Sequence, residues 1–329
     1  MPLYNPVSVS GYHIREAGST AAQELAFTLN NGFAYIEECL ERGLKIDNFA
    51  HRLSFFFNAH MDFFEEIAKY RAARRIWANR LRKQYGAKNE NSLKLKFHTQ
   101  TAGCSLTAQQ PENNIVRTAF EAMSAVLGGT NSLHTNSLDE TLALPSEKAA
   151  KIALRTQQIL AFETGVPNVA DPLGGSWYVE ELTDKLEEQA MKYFDEIQEM
   201  GGTVQAIEDG YFQKKIAESA SIYQESVDSN ERIIVGVNDF IEKDEELDIE
   251  ILKISKDAQD TQENKIQNLR KNRNEKILQE KMKKLSDACK KDLNLVPFLI
   301  EVAEEGGTVG EIVEVMKKVY GEWEESFGI

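Results

Sequence analysis

Three cysteines in 329 residues, Cys39, Cys104 and Cys289, are too few and too scattered to staple a fold, and none is paired at metal-ligand spacing. Long apolar runs are also missing. No stretch approaches membrane-spanning length, and the opening MPLYNPVSVSG lacks the basic end and apolar centre of a signal peptide. Clustered cations do not dominate the first half, and the net charge is −15, which argues against a chain that lives on nucleic acid. The expectation is a cytoplasmic protein in a reducing compartment, with neither nucleic acid nor membrane among its partners and no metal site. With 42% hydrophobic and 28% charged residues, the chain can build an ordinary core, as one large domain or two.

What the sequence does have is a repeated junction. Three times in its first half an apolar, β-prone stretch runs into a histidine among small polar groups, and a long helical segment follows. The junctions are Ser8-Gly11 into Tyr12-His13, Leu95-Phe97 into His98-Thr99-Gln100, and Ser132-Leu133 into His134-Thr135-Asn136. A fourth unit keeps the rhythm with other chemistry, Arg52-Leu53-Ser54 leading through Phe55, Phe56 and Phe57 to Asn58. Strand, polar tip and helix in repetition mark parallel β/α units, whose functional side chains gather where strands end.

Apolar spacing predicts helices over 21–42, 61–85, 113–127, 145–164 and 178–200, and leucine or phenylalanine alternating with lysine predicts a strand over 93–97. Arg74, Arg75, Arg80, Arg82 and Lys83 make a basic outer face, read as solvated rather than as a phosphate cradle. Residues 233–237 are a short strand candidate, and 244–284 are dense enough in charge to read as linker and solvated helices. Beyond 285 helical periodicity returns, with Gly306-Gly307 parting two helices and Thr308 capping the second.

About four β/α units are visible, whereas a closed (β/α)₈ barrel takes eight strands. The fold class expected is α/β, a partial TIM barrel over residues 1–175 followed by a mostly helical extension over 176–329. A half-barrel leaves two unpaired parallel edges and an open apolar interior. Because a strand tip follows Met1 at once, the missing half is expected from another polypeptide, from a second copy, or not at all.

The strings SGYHIREAG, RLSFFFNAHMDFFEEIAKYRAARRIW, FHTQTAG, NNIVRTAFEAM, GGTNSLHTNSLDE and ADPLGGSWYVE, in this order, resemble the second half of the catalytic barrel in the methylmalonyl-CoA mutase family. The likeness continues through IIVGVN and the final TVGEI and VYG, so it covers nearly the whole chain. It implies an adenosylcobalamin-dependent isomerase that interconverts (R)-methylmalonyl-CoA and succinyl-CoA by radical rearrangement. The visible units then correspond to the four C-terminal ones of the barrel.

Carried over by position, the resemblance puts His13 beside the substrate thioester carbonyl as hydrogen-bond donor or general acid. It makes Tyr12, Glu16, Gln100, Asn136 and Glu140 cofactor-binding residues around the adenosyl group. Arg52, Ser54 and Phe56 become contacts for the coenzyme A tail, and His98 part of the substrate-facing wall. From pattern alone, a histidine at a strand end is more often a satisfied structural residue, and at least one of Phe55, Phe56 and Phe57 belongs to the core. A zinc site from His98, Cys104 and His134 has no local ligand spacing to support it.

Departures from the family pattern sharpen the expectation. Cys104 stands where tryptophan is usual, and Asn131 where glutamine is. The residues that recognise the methylmalonyl carboxylate lie in earlier strands of the family barrel, so isobutyryl-CoA and 2-hydroxyisobutyryl-CoA mutase subunits remain alternatives. The DxHxxG string that supplies the lower cobalt ligand does not occur here. The implied partners are therefore an acyl-CoA substrate, an N-terminal mutase fragment and a cobalamin-binding small subunit. A truncated, non-catalytic scaffold is the rival reading.

Overall fold

Four parallel strands, β1 (Ser8–Ser10), β2 (Ser54–Ala59), β3 (Phe97–Thr101) and β4 (Ser132–His134), form one sheet in sequence order. The computed structural model describes residues 4, 5, 7–242, 249 and 251–324. Between the strands run α1 (Tyr12–Glu16), α2 (Ala21–Glu41), α3 (Ile46–Phe49), α4 (Phe63–Lys83) and α5 (Asn113–Leu127). After β4 come α6 (Glu147–Phe162), α7 (Trp177–Glu199), α8 (Thr203–Glu208) and α9 (Tyr211–Asp228). Helix starts follow their side chains. Thr20 and Gln23 close a capping box on α2, while Asp62 and Ser146 each accept a first-turn N–H of α4 and α6.

Period-two alternation divides the strands into two faces. Phe55, Phe57 and Phe97 are buried against the helices, with Phe55 edge-on to Trp77 at 5.0 Å and Tyr70 stacked on Phe97 at 5.2 Å. Helix α2 reaches this layer because Gly32 carries no side chain: a Cβ there would come within 2.7 Å of the Phe55 ring. The partial barrel expected from the repeated junctions is thus present as a four-stranded parallel sheet with helices on its outer side.

Several expectations need correction. The third strand begins at Phe97 rather than at 93; Leu93 and Leu95 are buried, so the alternation there records burial without strand pairing. Residues 233–237 form a turn with a lone bridge between Val235 and Asp239. The basic face of α4 is solvated only at its end, where Arg82 and Lys83 are exposed; nearer the middle of the helix its arginines are covered. Arg71 pairs with Asp171 and Glu180, Arg75 with Asp184 and Glu187, and Arg80 lies over the rings of Phe33 and Phe194 at 4.2 and 5.1 Å. Acids just before and along α7, about 100 residues away in sequence, cover that face.

The expected division at 175/176 does not coincide with the compact units, which are Met1–Leu252 and Lys253–Ile329. Helix α7 packs on α2 and α4, with Leu186, Ala190, Phe194 and Ile197 in the core of the first unit. The second unit consists of α10 (Lys256–Asn272), α11 (Glu275–Lys290), α12 (Val296–Glu304) and α13 (Val309–Tyr320). Its core is Leu278, Met282, Leu285, Cys289 and Val302.

Helix α10 buries no residue, as the charge density predicts, but α11 does, because its sparse apolar residues fall on one stripe. Residues 244–248 and 250 of the charged segment lie outside the described residues. Thr308 and Glu311 form the capping box of α13, and Arg273 grips the Glu311 carboxylate at 2.6 and 2.8 Å. That grip holds Glu311 down at about 2. Among the described residues no helix is long and apolar enough to cross a membrane.

Candidate active site

The second face of the sheet was expected to be apolar, and it is not. Pairing sets Ser10 opposite Phe56, Phe56 opposite His98, and His98 opposite Ser132, so these four form one row on the same face. Ser54 and Asn58 flank Phe56 along β2, and Gln100 and His134 continue the row above. A closed barrel normally fills this side with bulky branched residues. Here small and polar groups surround one half-buried phenylalanine, which leaves room for a polar ligand.

At the C-terminal end of the strands the polar groups interlock. Gln100 Nε2 donates to the Tyr12 hydroxyl at 2.9 Å and to Asn136 Oδ1 at 2.8 Å, and Asn136 Nδ2 donates to the Thr101 carbonyl at 2.9 Å. Glu16, the last residue of α1, accepts from Asn58 Nδ2 at 2.7 Å and from the backbone N–H groups of Gly103 and Cys104 at 2.8 Å each. The Tyr12 ring stacks on Phe56 at 5.0 Å, and His98 meets the edge of Phe56 at 4.8 Å. Residues from all four strand ends therefore meet at one mouth.

Charge at the mouth is muted. Burial, and then the Glu16 carboxylate, pushes the Tyr12 phenol well above its usual range, so it stays protonated. Burial also raises Glu140, with Glu16 and then Asp139 adding to the effect. His13 lies 3.3 Å from Ser10 Oγ through Nδ1, and partial loss of water pushes its pKa down, leaving a neutral ring at pH 7. His98, 2.8 Å from Ser132 Oγ, is lowered by burial and then by His134.

Of the residues nominated from sequence, Tyr12, Glu16, Gln100 and Asn136 belong to this connected cluster. His13 sits beside it on α1, and Phe56 and His98 extend it down the sheet. Glu140 makes no hydrogen bond to the cluster through its side chain, though its charge reaches Tyr12. Arg52 and Ser54 lie at the other end of β2, where Ser54 donates to the Val7 carbonyl and Arg52 Nε is buried without a partner. They stand a strand's length from the mouth, about 20 Å for six residues.

Gly103 is the clearest candidate position that the sequence reading does not nominate. A Cβ there would sit 3.0 Å from Glu16 Oε2, 3.4 Å from Asn136 Nδ2 and 3.5 Å from the Tyr12 hydroxyl. The bare backbone keeps a cradle open between these three side chains. Next to it, Cys104 borders a cavity of about 750 Å³ also lined by Arg15, Glu16, His60, Tyr223 and Arg232. Where the family pattern favours tryptophan, the small thiol leaves space beside Glu16. Although Cys104 is exposed to this cavity, the protein crowded around its thiol, and then Glu16, raises its pKa, which disfavours a thiolate at neutral pH.

The sequence profile of methylmalonyl-CoA mutase matches residues 1–322. This chain belongs to the methylmalonyl-CoA mutase family. It is 45% identical over 324 residues to the 2-hydroxyisobutanoyl-CoA mutase large subunit of Aquincola tertiaricarbonis, covering 98% of this chain and 58% of that one. To the methylmalonyl-CoA mutase of Rhizobium meliloti (strain 1021) it is 46% identical, covering 98% and 45%. For the mitochondrial methylmalonyl-CoA mutase of Homo sapiens the identity is 45%, covering 98% and 43%. The chain thus spans about half the length of the curated relatives it matches.

Asn58, which ties β2 to Glu16, was also passed over as a site residue in a mutase-family reading of the sequence. The signal available was its place at the fourth tip, immediately after the three phenylalanines.

Proposed function

We propose that this chain forms the catalytic half of an adenosylcobalamin-dependent acyl-CoA mutase, with (R)-methylmalonyl-CoA and succinyl-CoA as the interconverted pair. The observation that carries the reading is the polar lane on the concave face, running from Ser54 past Phe56 and His98 to the cluster at Tyr12, Gln100 and Asn136, with Arg52 in the turn just before β2. A coenzyme A thioester is long and thin, anionic at one end and acylated at the other, and matches such a lane. The half-buried Arg52 supplies a positive charge for the phosphate end, and half-buried Phe56 suits the pantetheine chain.

The residues at the mouth fit an adenosyl group. The Gly103 cradle and the amide and phenol groups around it carry donors and acceptors of the kind that ribose hydroxyls pair with. When bound, adenosylcobalamin supplies the radical that removes and later returns a substrate hydrogen. This chain's part is orientation. Neutral His13, with Nδ1 turned to Ser10, presents Nε2–H to the thioester carbonyl oxygen and stabilises charge that develops there. Tyr12, Gln100, Asn136 and Glu140 hold the adenosyl ribose, and His98 walls the acyl group against Phe56.

Both outer strands, β1 and β4, have one neighbour each among the described residues, so a complementary N-terminal barrel half pairs with them and excludes water from the lane. A cobalamin-binding partner would hold the cofactor's cobalt and corrin, because the DxHxxG string does not occur in this chain. A 2-hydroxyisobutyryl-CoA substrate is the second reading, favoured by an identity of 45% to a 2-hydroxyisobutanoyl-CoA mutase large subunit, near the 46% to a methylmalonyl-CoA mutase; isobutyryl-CoA is the further alternative from the sequence resemblance.

The test is an assay of isomerisation with the complementary half, the cobalamin-binding subunit and adenosylcobalamin, offering each acyl-CoA in turn. Turnover of methylmalonyl-CoA is expected. Absence of turnover with every thioester in the assembled enzyme would overturn the proposal.

A further inference from the structure

Helix α2 and helix α4 carry charges that the mouth does not touch. Lys69, Glu24 and Glu66 are all fully buried, and the Lys69 ammonium lies 2.5 Å from Glu24 Oε2 and in contact with Glu66. Arg15 approaches the same Glu66 at 3.7 Å. A buried ion cluster is a poor way to stabilise a core, because desolvating the charges offsets most of their attraction. Its position explains it better than its energy.

β1 pairs with β2 as far as Ser10 and Phe56, and the Gly11 N–H then takes the Phe56 carbonyl as the chain turns into α1. That early exit places Tyr12, His13 and Glu16 across the mouth. It also leaves the next backbone groups of β2 facing a strand that has ended. The buried cluster takes their place: Glu24 Oε1 accepts from the Asn58 N–H at 2.6 Å, while Lys69 Nζ and the Tyr70 hydroxyl donate to the Asn58 carbonyl at 2.8 and 2.5 Å. Held on both backbone groups, Asn58 aims Nδ2 at Glu16, and Glu16 in turn grips the N–H groups of Gly103 and Cys104.

We propose that Lys69 is a positioning residue. Through Glu24 and the Asn58 backbone it fixes Glu16, and with Glu16 the Gly103 cradle for the adenosyl group. The assignment of the cradle rests on the function proposed above, whereas the linkage from Lys69 to Glu16 does not. A residue that serves the core alone would, when replaced, loosen the whole unit together. A positioning residue loosens the mouth selectively.

The experiment compares the full chain with Lys69→Met and with the charge-balanced pair Lys69→Met/Glu66→Gln, which buries no extra net charge and guards against a misfolded single variant. Backbone hydrogen exchange is read by NMR at Gly103 and Cys104 and, as an internal reference, at Leu29 and Phe33 in α2. In the assembled enzyme, 5′-deoxyadenosine and coenzyme A serve as binding probes. Exchange at Gly103 and Cys104 is expected to rise about tenfold relative to α2, and 5′-deoxyadenosine affinity to fall about tenfold with coenzyme A affinity unchanged, the loss of one charge-assisted hydrogen bond. Unchanged exchange at the two amides overturns the proposal, as does a parallel rise at all four. Failure of the unmodified enzyme to bind either probe overturns the functional reading instead, and the exchange result still decides the role of Lys69.

Discussion

The two faces of the same sheet differ more than any two strands do. On the helix side, Phe55, Phe57 and Phe97 are sealed under Trp77 and Tyr70. On the concave side, one residue further along each strand, Ser10, Phe56, His98 and Ser132 form a half-open polar row. One strand thus buries alternate residues under the helices and presents those between to the open face. Aromatic type does not separate the roles in Phe55-Phe56-Phe57, but strand parity does.

That contrast can be broken most sharply on β2. Phe57→Ala empties the packed side and is expected to cost about 3–5 kcal/mol in urea unfolding of the chain, with Phe56→Ala costing clearly less. The ranking reverses for coenzyme A affinity in the assembled enzyme, where Phe56→Ala is the damaging change. Equal destabilisation by both would remove the distinction between the faces.

Next in size is a change at the mouth. His13→Ala should lower turnover of the assembled enzyme about a hundredfold, the scale of a lost catalytic proton donor, with coenzyme A affinity unchanged. Steady-state kinetics beside a coenzyme A titration checks this split. A loss confined to affinity would move His13 from chemistry to binding.

Buried titratable groups beside the mouth give a smaller, pH-dependent effect. His60 accepts from the Met61 N–H at 2.8 Å, and burial, followed by the charges of Arg15, Lys69 and Arg232, holds its pKa down to about 3. Below the ordinary value of 6.5 the unfolded chain binds a proton that the folded one refuses, so this stability is present above pH 6.5 and is lost as pH falls toward 3. Glu24 acts in the other direction. Burial lifts it to about 7 against the pull of Lys69, so its ionisation removes stability as pH rises from 4.5 to 7. Thermal unfolding between pH 4.5 and 7.5 should show a steeper acid loss in Glu24→Gln and a shallower one in His60→Gln. Parallel curves for both would contradict these assignments.

Sequence reading captured much of this where cause and consequence lie close along the chain. The β/α rhythm, the helix starts near Ser146 and at Thr308, and the clustering of Tyr12, Gln100 and Asn136 at strand ends follow from local pattern. Long-range pairing was not legible. Arg75 of α4 looks solvated until acids along α7 fold onto it, whereas Arg82 is exposed as its local pattern suggests. Leu93 and Leu95 alternate as a strand would, yet serve burial alone. Glu24 and Lys69 sit on ordinary amphipathic helices, and nothing in their local spacing shows that they replace a missing strand beside Asn58.

The central claim is that the concave face is the acyl-CoA lane, and photo-crosslinking measures this most directly. The assembled enzyme is irradiated with a coenzyme A thioester bearing a diazirine on its acyl group, and the labelled residues are identified by mass spectrometry. Labels on Phe56, His98 and the Tyr12-His13 segment are predicted; labels confined to the outer helices, with the concave row untouched, would contradict the account.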